Sequence, residues 1–71
     1  SAQTQYEASI DQLKATSEAY KVAEEKFKLG ALNSVDFLFE KTKLISAESQ
    51  LLQSKFNLVF SNKIVDFYNN P

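Results

Sequence analysis

The side chains of this sequence that could do acid–base or electrostatic chemistry are carboxylates and lysines, because histidine, cysteine and arginine are all absent. Without them there is no nucleophile–base pair of the Ser-His or Cys-His type. There is also no guanidinium to grip a phosphate through two parallel hydrogen bonds. Paired carboxylates come closest to a catalytic constellation: Glu24-Glu25, with Asp11 and Glu18 nearby in the chain. General acid–base work needs such groups desolvated and aimed at a substrate, yet these four fall on or beside a charged helix face where water surrounds them. Gly30 stands alone, so no glycine-rich loop can cradle phosphates. The acidic residues lack the spacing of a calcium loop, and no Cys or His is present to hold zinc. The residue types point to a chain that is not an enzyme and needs no cofactor.

Eight lysines stand against nine acidic residues, a formal charge of −1. The lysines do not cluster, so there is no electrostatic footprint for nucleic acid. No apolar run approaches the ~20 residues that a membrane span needs. The N-terminus carries no signal-peptide pattern, and Ser1-Ala2 has the look of a cloning scar. Seventy-one residues make one domain at most. Below roughly 70–80 residues a single core rarely supplies more than about 3–5 kcal/mol. With no disulfide or metal to staple it, partner chains are the expected extra source of stability.

One glycine and one proline leave little turn chemistry, so the elements must be few and long. Residues 3–29 read as one helix. Tyr6, Ile10, Leu13, Ser17, Tyr20, Glu24 and Phe27 run at 4-3-4-3 spacing, a heptad seam. One residue round, Glu7, Asp11, Lys14, Glu18, Lys21, Glu25 and Lys28 are all charged with mixed signs, as a solvated face requires. A third seam is small, Ala8, Ala15, Ala19 and Val22, and would admit another helix at close range. Alanine's helix propensity explains those residues nearly as well.

The break falls at residues 30–34. Gly30 suits the left-handed position just past a helix end, with Lys28 favourably placed in the last turn. Asn33 or Ser34 can cap the next helix. If Asn33 does, Asp36 sits at N3 of a shortened capping box, and Leu32 is placed to staple against Phe37. Stop, short loop and start within about five residues predict an antiparallel αα-hairpin.

Residues 35–68 read as the second helix, ended by Asn69-Asn70-Pro71. Phe37, Leu44, Leu51 and Leu58 repeat every seven residues, and so do Leu38, Ile45, Leu52 and Val59. Two adjacent seams make a wide apolar face, extended by Phe56, Phe60, Ile64 and Phe67. Val, Ile, Leu, Phe and Tyr number 7 in residues 3–29 and 16 in residues 35–68, so the first helix cannot cover the second. Each such side chain gains roughly 1.5–3 kcal/mol on full burial. The expectation is an all-α, coiled-coil-like hairpin that packs with further helices and that self-associates when isolated.

The turn and its flanks resemble the TolC family of outer-membrane efflux and secretion channels. The residues that carry the likeness are Phe27-Lys28-Leu29-Gly30-Ala31-Leu32-Asn33-Ser34-Val35-Asp36-Phe37, with Ala19-Tyr20-Lys21-Val22-Ala23 before and Ser46-Ala47-Glu48-Ser49-Gln50-Leu51 after. The family's repeat is similar: an aromatic, two residues, a glycine, a short tip with Asp six past the glycine, then a helix rich in Leu, Ala and Gln. The Asn33-to-Phe37 run and the Asp66-Phe67-Tyr68 ending look most like the C-terminal repeat of Bacteroidota members. The resemblance implies a fragment of a much longer trimeric outer-membrane protein, this segment being a periplasmic helical hairpin in the wall of an α-barrel. It implies that Leu29, Gly30 and Ala31 form a tip that meets the periplasmic adaptor of an inner-membrane pump. Asp36 matches an acidic position near the aperture of relatives, although an Asp in the first turn of a helix is also favoured by the helix dipole alone. Where relatives add a second carboxylate one turn on, Phe39 stands here, and the arginines common near their tips are missing. Tyr6 and Tyr20 belong to the packing seam. Two other readings use the same residues: a self-associating helical-bundle module, and the hairpin of an adaptor protein, whose usual Arg-Leu-Ser-like tip this chain lacks.

Overall fold

In the computed structural model the backbone of residues 1–69 and the side chains of residues 1–60 are described. The side chains of Ile64, Asp66, Phe67 and Tyr68, read as extensions of the apolar face and as the ending, and residues Asn70-Pro71 of the stop fall outside what is described. Helix α1 runs Ala2–Lys28 and helix α2 runs Ser34–Asn69. They fold back on each other as an all-α antiparallel hairpin, a rod of 61 × 16 × 13 Å.

Local chemistry explains both ends of the turn. Leu29 is the last residue near helical geometry, and Gly30 follows with φ of 75°. That is the left-handed region an L side chain avoids. The reversal aims two amides back at the orphan carbonyls of α1. Ala31 N–H donates to Lys26 O at 2.7 Å and Gly30 N–H donates to Phe27 O at 3.1 Å. These are the paired bonds of a Schellman stop. Asn33 caps α2. The Asp36 amide donates to Asn33 Oδ1 at 2.8 Å, while Asn33 Nδ2 donates to Asp36 Oδ2 at 3.1 Å. The exchange is reciprocal, as in a capping box. Of the two candidate caps the cap bond is thus made by Asn33, and Ser34 is the first helical residue. Leu32, the expected staple, is half-buried beside Ala19, Val22 and Ala23. Phe37 turns its ring to Tyr20 and Phe27 of α1.

The inner seam alternates large and small residues. From α2 it takes Phe37, Glu40, Leu44, Ala47, Leu51, Ser54 and Leu58, all at least half-buried. From α1 it takes Tyr6, Ser9, Leu13, Thr16, Tyr20 and Ala23. The most enclosed positions are the small ones: Ala47 is 4 % exposed, Ala23 6 % and Thr16 9 %. Here the structure corrects the first-helix pattern. Tyr6, Leu13 and Tyr20 face α2 as expected, but the positions between them are Ser9, Thr16 and Ala23, with Ile10, Ser17 and Glu24 shifted to the rim. Ile10 is 42 % exposed. The physical reason is backbone approach: small side chains let the helices close in, and the branched Ile10 would hold them apart. Ser9 and Ser54 meet across the helices, their hydroxyls 2.7 Å apart in a hydrogen bond. That contact sets the register, in which Thr16 comes level with Ala47 and Ala23 with Glu40.

No large side chain among the described residues is fully buried. A single line of half-covered contacts is all the core that two helices make alone.

Candidate functional site

Two surfaces of the rod stand out. The first is the tip. Leu29 is 83 % exposed, and Gly30 and Ala31 are exposed beside it. The Schellman stop fixes this backbone without help from any side chain of α2, so the tip projects an apolar residue and an unshielded glycine from a rigid base. A Cβ built on Gly30 would meet nothing within 4 Å. Space around Gly30 is therefore open, and only its backbone conformation demands glycine. Asp36 lies one turn into α2, exposed, its carboxylate engaged by Asn33 Nδ2. Phe39, three residues on, is 63 % exposed with the Lys43 ammonium 4.9 Å from its ring centre. No charge pair forms there with Asp36.

The second surface is the outer side of α2. The eight helix-packing residues read from the sequence divide into two rows. Phe37, Leu44, Leu51 and Leu58 are half-buried against α1. Leu38, Ile45, Leu52 and Val59 face away, 62 %, 57 %, 56 % and 45 % exposed. With Val35, Thr42, Ser49 and Phe56 the outward row has its own 3-4-3-4 spacing. At about 100° per residue its mean direction lies roughly 140° round the helix from the inner seam. A helix with apolar seams on nearly opposite sides is built for a neighbour on each.

The remaining surface is mixed. Glu7, Asp11, Lys14, Glu18, Lys21, Glu25 and Lys28 are all exposed, as a solvated face should be. Glu24 lies half-buried at its edge, 3.7 Å from Lys28 Nζ. On the other flank Gln12, Thr16, Thr42, Ser46 and Gln50 line a shallow open groove with Phe39, Lys43 and Ala47. Ala8, Ala15, Ala19 and Val22 are exposed along α1. No three His, Cys, Asp or Glu residues converge to hold a metal, and no helix is long and apolar enough to cross a membrane, among the described residues.

With this geometry in view, the chain was compared with protein families, curated proteins and solved structures. None matches. The candidate surfaces are accordingly defined by the hairpin itself. Leu29, Gly30 and Ala31 lie at the turn and Asp36 in the first turn of α2, all exposed, while Tyr6 and Tyr20 sit half-buried in the seam. Reading for large residues alone passed over Ser9, Thr16 and Ala23. Their signal was a seven-residue recurrence of small residues in α1, matched by Ala47 and Ser54 in α2.

Proposed function

We propose that this chain is a packing element of a larger helical assembly, and specifically a periplasmic wall hairpin of a TolC-like outer-membrane channel. The observation that carries the reading is the outward seam of α2, Leu38, Ile45, Leu52 and Val59, left at 45–62 % exposure by its own hairpin. A free-standing module would have no use for such a row, because wet apolar surface of this extent favours aggregation. In a barrel wall each helix has neighbours on both sides, and both seams are then covered. Leu29-Gly30-Ala31 serves as the docking tip for an adaptor hairpin, where glycine permits close backbone approach. The role is passive and non-enzymatic: the hairpin walls a conduit, and its tip sets where the adaptor seats. A self-associating bundle module is the second reading, favoured by the same exposed seam.

The test is made in cells that express the chain. An antibody against the hairpin should detect, in the outer-membrane fraction, a polypeptide several times longer than 71 residues. Leu29→Asp at the tip should abolish dye efflux while leaving that band at normal abundance. A band of hairpin size confined to the cytosolic fraction would overturn the channel reading. Undiminished efflux in the tip variant would remove the docking role.

A further inference from the structure

We infer that the outer seam of α2 pairs with the same seam of a second copy of this chain, antiparallel, about a two-fold axis beside Ile45. The inference rests on the second reading above, the self-associating bundle, because an antiparallel pair points the two tips apart whereas a barrel wall points them the same way. What is added is the partner, the direction and the register.

Three observations converge on a second copy. The first is pattern. Along the outer seam Leu38, Thr42, Ile45, Ser49 and Leu52 alternate large and small. The inner seam has much the same alternation, Glu40 level with Ala23 being the exception, and it places small beside small, with Ser9 on Ser54, and large beside large, with Phe27 on Phe37. Turned against itself about Ile45, the outer seam repeats that arrangement. Ile45 meets Ile45, Leu38 meets Leu52, Thr42 meets Ser49, and Val35 meets Phe56. A row that matches its own reverse is what an isologous interface requires.

The second observation is charge. Lys41, Glu48 and Lys55 line one edge of the outer seam at seven-residue spacing, all exposed. None of the three makes an ion pair among the described residues, where the two pairs are Lys28–Glu24 and Lys43–Glu40. In an antiparallel pair this edge meets itself. Centring the axis on Ile45 sets Lys41 of each copy against Glu48 of the other, two complementary pairs. Sliding the axis about one turn, to the level of Glu48, sets Lys41 against Lys55 and Glu48 against Glu48, so every contact along this edge repels. Charge selects the first register over the second.

The third observation is area. Val35, Leu38, Ile45, Leu52, Phe56 and Val59 are 45–74 % exposed. Val59 falls opposite residue 31, beyond the partner's α2, so at most roughly 600 Å² per copy faces the partner and a dimer covers up to about 1,200 Å², the lower edge of stable specific interfaces. The charged face of α1 stays in water, and the product is a flat four-helix layer in the order α1, α2, α2, α1.

The absence of native cysteine makes the register directly readable. The wild-type chain should scatter at twice its 8.0 kDa mass at micromolar concentration. Under mild oxidation Ile45→Cys should cross-link to a covalent dimer. Ser49→Cys alone should not, because in this register its two copies lie about 12 Å apart along the axis. Thr42→Cys mixed with Ser49→Cys should cross-link again. Lys41→Glu should weaken the dimer at least several-fold, and Lys41→Glu/Glu48→Lys should restore it. A helical monomer at about 500 µM, a concentration ample for a stable pair, overturns the proposal. So does a dimer that cross-links through Ser49→Cys and not Ile45→Cys. A monomer would remove the bundle reading as well, whereas a dimer in another register would leave that reading standing and remove only this pairing.

Discussion

Phe27 and Phe37 stack across the turn, their ring centres 4.5 Å apart and their planes within 7° of parallel. Tyr20 lies 5.6 Å from the same Phe37 ring at a tilt of 32°. Among the described residues Phe37 is thus the one in α2 that receives two aromatic side chains from α1. Its place at N4, fixed by the Asn33 cap, ties the start of α2 to the end of α1. The tip beyond it gains a rigid base because the stop, the cap and the stack meet within eleven residues of chain, Phe27 to Phe37.

Phe37→Ala should therefore destabilise the hairpin by about 2 kcal/mol. That is less than the roughly 3–5 kcal/mol of a fully buried phenylalanine, because this ring is only half covered. Phe39→Ala, at an exposed position two residues on, should stay within about 0.5 kcal/mol of wild type. Urea unfolding followed by helical circular dichroism separates the two. Equal midpoints would mean that the aromatic stack does not hold the tip.

Gly30 offers a cleaner case, since nothing crowds its missing Cβ. Its φ of 75° is the whole difficulty for any other residue. Gly30→Ala should cost about 1 kcal/mol, all of it from holding an L residue in the left-handed region. Gly30→Asn should cost about half as much, because asparagine tolerates that region better. Asn33→Ala should cost about 1 kcal/mol, because it orphans the Asp36 amide. Thermal melts of the three variants give the order. An alanine variant as stable as wild type would show that the turn can re-form without the Schellman stop.

The hairpin was legible in the sequence because its signals are local. Gly30, Asn33 and Asp36 specify a stop and a start within a few residues, and each acts on backbone groups of its own turn. The heptads of α2 were legible too, since Phe37-Leu38, Leu44-Ile45 and Leu51-Leu52 keep step over three repeats. Which member of each doublet faces α1 was not legible. That choice depends on where α1 can approach most closely, and the approach is governed by Ser9, Thr16 and Ala23, residues too small to register as a hydrophobic stripe. Ile10, Ser17 and Glu24, one residue further on, share the same spacing and differ only in bulk. Nothing local to α1 distinguishes the two rows. The matching small residues Ala47 and Ser54 do, and they lie in the other helix.

The division of α2 into two seams gives opposite outcomes for two similar variants. Ile45→Glu/Leu52→Glu places charge on the outward row, where both side chains are more than half exposed. It should leave the hairpin helical, lower the scattering mass to that of a monomer, and change the unfolding midpoint of the monomer little. Leu44→Glu/Leu51→Glu places charge between the helices, where an unpaired carboxylate is costly to cover. It should abolish cooperative unfolding and most of the helical signal. Light scattering and circular dichroism on both settle the assignment, and a folded, dimeric Leu44→Glu/Leu51→Glu chain would reverse it.

The Ser9–Ser54 contact carries the register, and its polarity follows from counting protons. Ser9 Oγ donates to Gln5 O at 2.9 Å. A hydroxyl has only one proton to give. In the 2.7 Å bond between the helices Ser9 must therefore accept and Ser54 must donate. The two alanine variants are then unequal. Ser54→Ala leaves Ser9 with its Gln5 bond intact and should cost about 0.5 kcal/mol, whereas Ser9→Ala strips a half-buried Ser54 hydroxyl of its acceptor and should cost about 1 kcal/mol. Each gains a few tenths of a kcal/mol from alanine's helix propensity, but that gain cancels in a double-mutant cycle. The double variant removes donor and acceptor together and leaves two small apolar groups facing each other. It should therefore be more stable than the sum of the single changes allows, with a coupling of about 0.5–1 kcal/mol measured by urea unfolding. A coupling of zero would mean that the two hydroxyls do not bond across the helices, and that the large residues alone hold the register.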